Sequence, residues 1–132
     1  MRGQALVEMA IAMPILLVLA LGVMGAGRAI HARVALEAAA REGARAVATA
    51  PDPCDAAVAV ARARETAQGY GLDLEQLWVE VSGECDRGSL RRVMVGYTVP
   101  LRDLVFMPFL QLPGQVTMTA RATHVVEQYR SR

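Results

Sequence analysis

One carboxylate, that of Glu8, stands immediately ahead of 19 residues, 9–27, none of which is charged. An acid at the edge of so apolar a run is costly. At membrane depth an unpaired carboxylate costs at least a few kcal/mol, so it is normally given a counter-charge. The sequence offers one nearby. A cut after Gly3 would free an ammonium group on Gln4, and Gln4 and Glu8 are four apart, on one helix face a turn from each other. That amine would neutralise Glu8 in its own chain or in a neighbour. Other reactive side chains are sparse. Cys54 and Cys85 read either as two separate buried thiols or as a disulfide made in an oxidising compartment. No third ligand type clusters with them, as a zinc site would require. His31 and His124 are isolated and read as packed or boundary residues rather than bases. Ser82, Ser89 and Ser131 sit in no nucleophile motif, and no phosphate-cradling loop or metal-ligand spacing occurs. The inventory is that of a protein expected not to be an enzyme, with no metal, no cofactor and no small-molecule substrate. A net charge of +1 gives no electrostatic footprint for nucleic acid.

The element that must position Glu8 is the apolar run itself. Bounded by Glu8 and Arg28, it makes a helix of roughly 28 Å at about 1.5 Å per residue, close to a bilayer core of about 30 Å. Three readings of it are open. A cleaved secretory signal is permitted by Gly25, Ala26, Gly27 and Ala29 but opposed by Glu8 and Pro14. A plain single-pass anchor needs no processing. A short leader, residues 1–3, cut between Gly3 and Gln4, leaves Glu8 as the fifth residue and supplies its counter-ion. Pro14 has no amide hydrogen, so the carbonyl of Ala10 loses its helical partner, which membrane helices tolerate with a kink. A bend or local melting there would let the helix adapt on leaving the bilayer; a fixed bend with no dynamic role is the plainer reading. Charge bias does not set orientation, because Arg2 precedes the run while Arg28 and Arg33 follow it.

Alanine-rich residues 28–49 continue the helix, with no proline until Pro51. Leu36, Ala40, Gly43 and Val47 form a narrow stripe of mostly small residues, suited to close approach by a sheet. Arg33, Glu37, Arg41 and Arg45 form a charged row at steps of four, read as a solvated face or as a polar contact between subunits.

These residues carry a specific resemblance. Arg2-Gly3-Gln4-Ala5-Leu6-Val7-Glu8-Met9-Ala10, then Pro14-Ile15-Leu16-Leu17, Gly27-Arg28 and the block Ala39-Ala40-Arg41-Glu42-Gly43-Ala44-Arg45 are together similar to the TadE-like family. Its members are small pilin-like proteins of tight-adherence (Flp) pilus systems. Gly3, Glu8, Pro14, Arg28 and residues 40–45 map directly. Met9 stands where the family usually has Phe or Tyr, and Met24-Gly25-Ala26 replaces a stretch that is often acidic and aromatic. The match is strong over about residues 2–48 and weaker from Tyr97 onward. It implies Gly3, Gln4 and Glu8 as residues recognised by a prepilin peptidase, and Glu8 and Pro14 as subunit-contact residues in assembly. With the cysteines, it puts the N-terminus in the cytoplasm.

Beyond the helix the pattern is that of a small α+β domain. Pro51-Asp52-Pro53 breaks the first helix. Asp52 is expected to cap a second, with Pro53 at its first position and Asp55 in its first turn, running to about Gln68 and stopped by Gly69-Tyr70-Gly71. Its buried side is drawn from Val58, Ala61 and Glu65 or from Val60, Arg64 and Ala67. Three strands alternate with period two: Leu77, Val79, Val81; Val93, Val95, Tyr97, Val99; Val116, Met118, Ala120, Ala122. Asp86-Arg87-Gly88-Ser89 is the turn between the first two. An antiparallel sheet packed on the long helix follows, the layout that the resemblance also implies. Residues 100–114, rich in Leu and Phe, are long and apolar for a connection. They read as a cover over the open end of the core with one helical turn, or as a docking patch for a partner subunit or the membrane surface. A Cys54–Cys85 disulfide would stabilise the fold by roughly 3–4 kcal/mol.

The expected organisation is a leader at 1–3, a membrane helix at 4–27 and an extracytoplasmic pilin-like domain at 28–132. The resemblance implies a minor pilin or pseudopilin of the bacterial inner membrane, acting in assembly of an adhesive tight-adherence pilus. Implied partners are a prepilin peptidase, the major pilin, other minor pilins and the membrane assembly platform. The alternatives are a single-pass anchored binding domain outside any filament, and a secreted domain freed near Ala26 or Ala29.

Overall fold

The computed structural model describes residues 2–105 and 112–127. Its first element, α1 (Arg2–Ala48), is one uninterrupted helix of 47 residues that passes through Pro14 without a break. The two halves of α1 meet different surroundings. Its most apolar 18-residue window is wholly unburied. Past residue 31 the helix enters a core: Ala32, Ala35, Leu36, Ala39, Ala40, Ala44, Val47 and Ala48 are buried. This face is wider than the stripe of Leu36, Ala40, Gly43 and Val47 because α1 serves two partners, a sheet on one side and a second helix on the other.

That second helix, α2 (Ala56–Gly69), is capped by Asp55, whose side chain accepts from the amide of Ala57 at 2.9 Å. The cap is therefore not Asp52, and Pro53 is not helical. Asp52 instead accepts from the amide of Cys54 at 2.9 Å, and the amide of Asp55 donates to the Asp52 carbonyl at 3.2 Å. A tight turn at 52–55 thus uses the first Asx residue and leaves the second to start the helix. The buried stripe of α2 also differs from both expected sets: it is Ala59, Ala63 and Ala67. Methyl-sized side chains at steps of four let α2 lie close against α1, whereas a valine stripe would hold it off. Gly43 marks the point of closest approach. A Cβ there would lie 3.1 Å from the Ala59 carbonyl oxygen, 3.2 Å from the Ala63 Cβ and 3.3 Å from a Val93 methyl.

After α2 the chain reverses at Gly71, which has φ +81, the left-handed conformation that glycine adopts without steric cost. A short 3₁₀ turn, Leu74–Gln76, follows, capped by Asp73 through the amide of Glu75 at 3.0 Å. The strands are β1 (Leu77–Ser82), β2 (Leu90–Pro100) and β3 (Gln115–Val125), antiparallel in the order β1-β2-β3. Register aligns the inward residues in rows across the sheet: Leu77, Tyr97 and Met118; Val79, Val95 and Ala120; Val81, Val93 and Ala122. The small residues fall on β3, which packs on α1. The amide of Ser89 donates to the Asp86 carbonyl at 3.0 Å, closing the turn expected at 86–89. On the outer face the indole of Trp78 lies across Gly96, its cross-strand partner, in space that a side chain there would need.

A single helical turn, α3 (Leu101–Leu104), leaves β2 and returns to α1. The part of the apolar connection formed by residues 106–111 lies outside the described residues. Cys54 and Cys85 form a disulfide with a Cα–Cα distance of 5.1 Å, tying the α1–α2 connection to the β1–β2 connection. The architecture is α+β, a long apolar helix packed on a small antiparallel sheet with a second helix beside it.

Candidate functional site

Of the residues singled out in the sequence, Gly3, Gln4, Glu8 and Pro14 all lie on the exposed N-terminal half of α1. A side chain at Gly3 would meet nothing within 4 Å. The carboxylate of Glu8 is displayed on a helix whose neighbours Leu6, Val7, Met9 and Ile11 are also exposed. Around Pro14 the helix surface has a shallow, open, wholly apolar groove lined by Pro14, Ile15, Val18 and Leu19. Among the described residues this surface has no partner, and water is a poor one. Leu6, Ile15, Leu16, Leu17 and Leu19 each leave more than half their area exposed, whereas full burial of such a side chain is worth about 1.5–3 kcal/mol.

The polar boundary of the helix is built differently. Arg28 donates through Nη1 to the Asp103 carbonyl at 3.2 Å, fastening α3 to α1. One turn before Arg28, Gly25 admits the α3 backbone: a Cβ there would stand 2.9 Å from the Leu104 carbonyl oxygen. His31 lies 3.0 Å through Nε2 from the Tyr70 carbonyl oxygen. Between these elements opens a crevice of about 490 Å³ lined by Met24, Gly27, Arg28, His31, Ala32, Gly71, Leu72, Tyr97, Val99 and Leu104. Further along, Glu37 sits between Arg33 at 3.5 Å and Arg41 at 3.4 Å, all three exposed. At the far end of the sheet His124 is exposed, with Nδ1 3.1 Å from the Val125 carbonyl oxygen.

Two features escaped the sequence reading. Arg91 is 6% exposed, in phase with Val93 and Val95 on the inward face. It donates through Nη1 to the Gly83 carbonyl at 2.8 Å, while its Nε has no hydrogen-bond partner among the described residues. Period-two phasing extended two residues before Val93 would have found it. The Gly25–Leu104 approach had no such local signal, because it joins residues 79 positions apart.

The exposed, apolar and proline-containing helix with Glu8 near its start is the part of the chain that comparison with known proteins recognises. Residues 3–45 match the family model described as TadE-like protein. This TadE-like segment covers the exposed half of α1 and the alanine-rich turns that enter the core, and it stops before α2. No curated protein and no solved structure matches the chain. One helix among the described residues is long and apolar enough to cross a membrane, and it is this one, whose most apolar 18-residue window has a mean hydropathy of 2.5. Over residues 3–45 the chain is thus similar to TadE-like proteins, and the helix that carries this likeness is suited by length and composition to membrane anchoring.

Proposed function

We propose that the protein is a minor pilin or pseudopilin that takes part in assembling a tight-adherence pilus. In this reading α1 is held in the inner membrane with its N-terminus in the cytoplasm, and the α+β domain stands outside. A prepilin peptidase cuts between Gly3 and Gln4. The new ammonium neutralises Glu8, and the exposed helix then docks, through Glu8 and the notch at Pro14, against the helices of the major pilin, other minor pilins and the assembly platform. The observation that supports this best is the split character of α1, whose TadE-like segment is bare over its apolar half and buried over its alanine-rich half. A helix made only to anchor needs the first property but not Glu8, and a soluble core helix needs only the second.

N-terminal sequencing of the protein taken from its host membranes tests the processing step, with a start at Gln4 expected. A start at Met1 would favour an anchored binding domain outside any filament, and a start near Ile30 a secreted one. Glu8→Ala is expected to leave membrane insertion unchanged and to lower incorporation into the assembly. Normal incorporation would remove Glu8 from the mechanism.

A further inference from the structure

The crevice between α1 and the α3–β2 corner straddles the end of the uncharged run. Met24 and Gly27 belong to the last apolar turns, and Arg28 and His31 to the first polar ones. Its volume of about 490 Å³ falls in the range of roughly 300–1,000 Å³ typical of small-molecule sites. Leu72, Val99 and Leu104 complete an apolar wall opposite the helix. If residues 9–27 lie in lipid, the lower half of the crevice is at acyl-chain depth and its upper rim at the level of phosphates. The order of its lining, apolar below and cationic above, is the order of a phospholipid.

The charge at that rim is positive. Among the described residues Arg28 makes one hydrogen bond, through Nη1 to a neutral carbonyl, out of five N–H donors that a guanidinium carries. Among the described residues no carboxylate forms an ion pair with Arg28, and Asp103 on the facing turn is paired instead with Arg102 at 3.8 Å. Guanidinium groups match phosphate oxygens in a planar fork. We propose that this crevice binds one anionic phospholipid, its acyl chain along Met24 and Leu104 and its phosphate on Arg28. The inference rests on the membrane reading of α1 but on none of the steps in pilus assembly.

The test uses the full chain reconstituted in nanodiscs of phosphatidylcholine containing a phosphatidylglycerol analogue with a diazirine near the glycerol end of one acyl chain. Photolysis followed by peptide mass mapping is expected to label the stretches around Met24 and Leu104. Gly27→Leu fills the crevice without disturbing the fold, since a Cβ at Gly27 meets nothing within 4 Å, and is expected to abolish that labelling. Arg28→Gln is expected to weaken it by roughly tenfold, the scale of one lost charge-assisted contact, down to the level of a phosphatidylcholine analogue. Labelling that ignores Gly27→Leu, or that is equal for the two head groups, overturns the proposal. So does a crevice left unlabelled because a second copy fills it. A tail-end diazirine lipid run in parallel reports insertion at residues 11–19. Insertion with an unlabelled crevice sinks the lipid site alone, whereas no insertion sinks the membrane reading with it.

Discussion

Gly43 shows how much one absent side chain decides. Two elements, α2 and β2, converge on its Cα, and a Cβ would already be tight against both. Gly43→Val is therefore expected to destabilise the domain by at least about 1–3 kcal/mol, the usual cost of overpacking. Denaturant unfolding of the chain in detergent micelles would read this from Trp78, the one tryptophan in the sequence. Glu37 is the contrasting case. It bridges two arginines, but all three side chains are well exposed, so Glu37→Ala is expected to cost less than about 1 kcal/mol in the same titration. At this scale sequence reading was uneven. Gly43 and the cysteine pair were legible, because small residues in a helix stripe and paired thiols in one small domain have few uses. Arg91 and Asp55 were not. Arg91 carries a charge at a position where only phase, not polarity, announces burial. Asp55 competes with Asp52 for the same capping role, and the turn geometry that decides between them is not written in either residue type.

Among the elements, the strands were the most legible. Alternation over β1, β2 and β3 fixed which residues face inward, and the observed register places those residues in shared rows. The face of α2 was misjudged for an instructive reason: hydropathy favours valine, but close helix approach at Gly43 favours Ala59, Ala63 and Ala67. The disulfide acts at this scale too. It joins the connection before α2 to the connection before β2, so it closes a loop of 31 positions that contains α2 and β1. Replacing both cysteines, Cys54→Ser with Cys85→Ser, is expected to cost roughly 3–4 kcal/mol on the chain-entropy model. Comparing the denaturation midpoints of the oxidised parent and the double variant would check it. A loss well under about 1 kcal/mol would mean that the unfolded chain is already compact between those points.

For the whole molecule, the division between a bare helix and a packed domain follows from where alanine replaces leucine along one continuous pattern. Fractionation of host cells tests the division directly: the protein is expected to resist alkaline extraction and to leave the membrane fraction only with detergent. A chain lacking residues 2–27 is expected to be soluble. Because α1 runs from residue 2 to residue 48 with no joint, it is a rod of about 70 Å at about 1.5 Å per residue. Force applied to the sheet is delivered to the apolar end of that rod without slack. Any machine that grips the packed domain and pulls would draw the hydrophobic shaft along its own axis, while a twist applied at either end would turn the other.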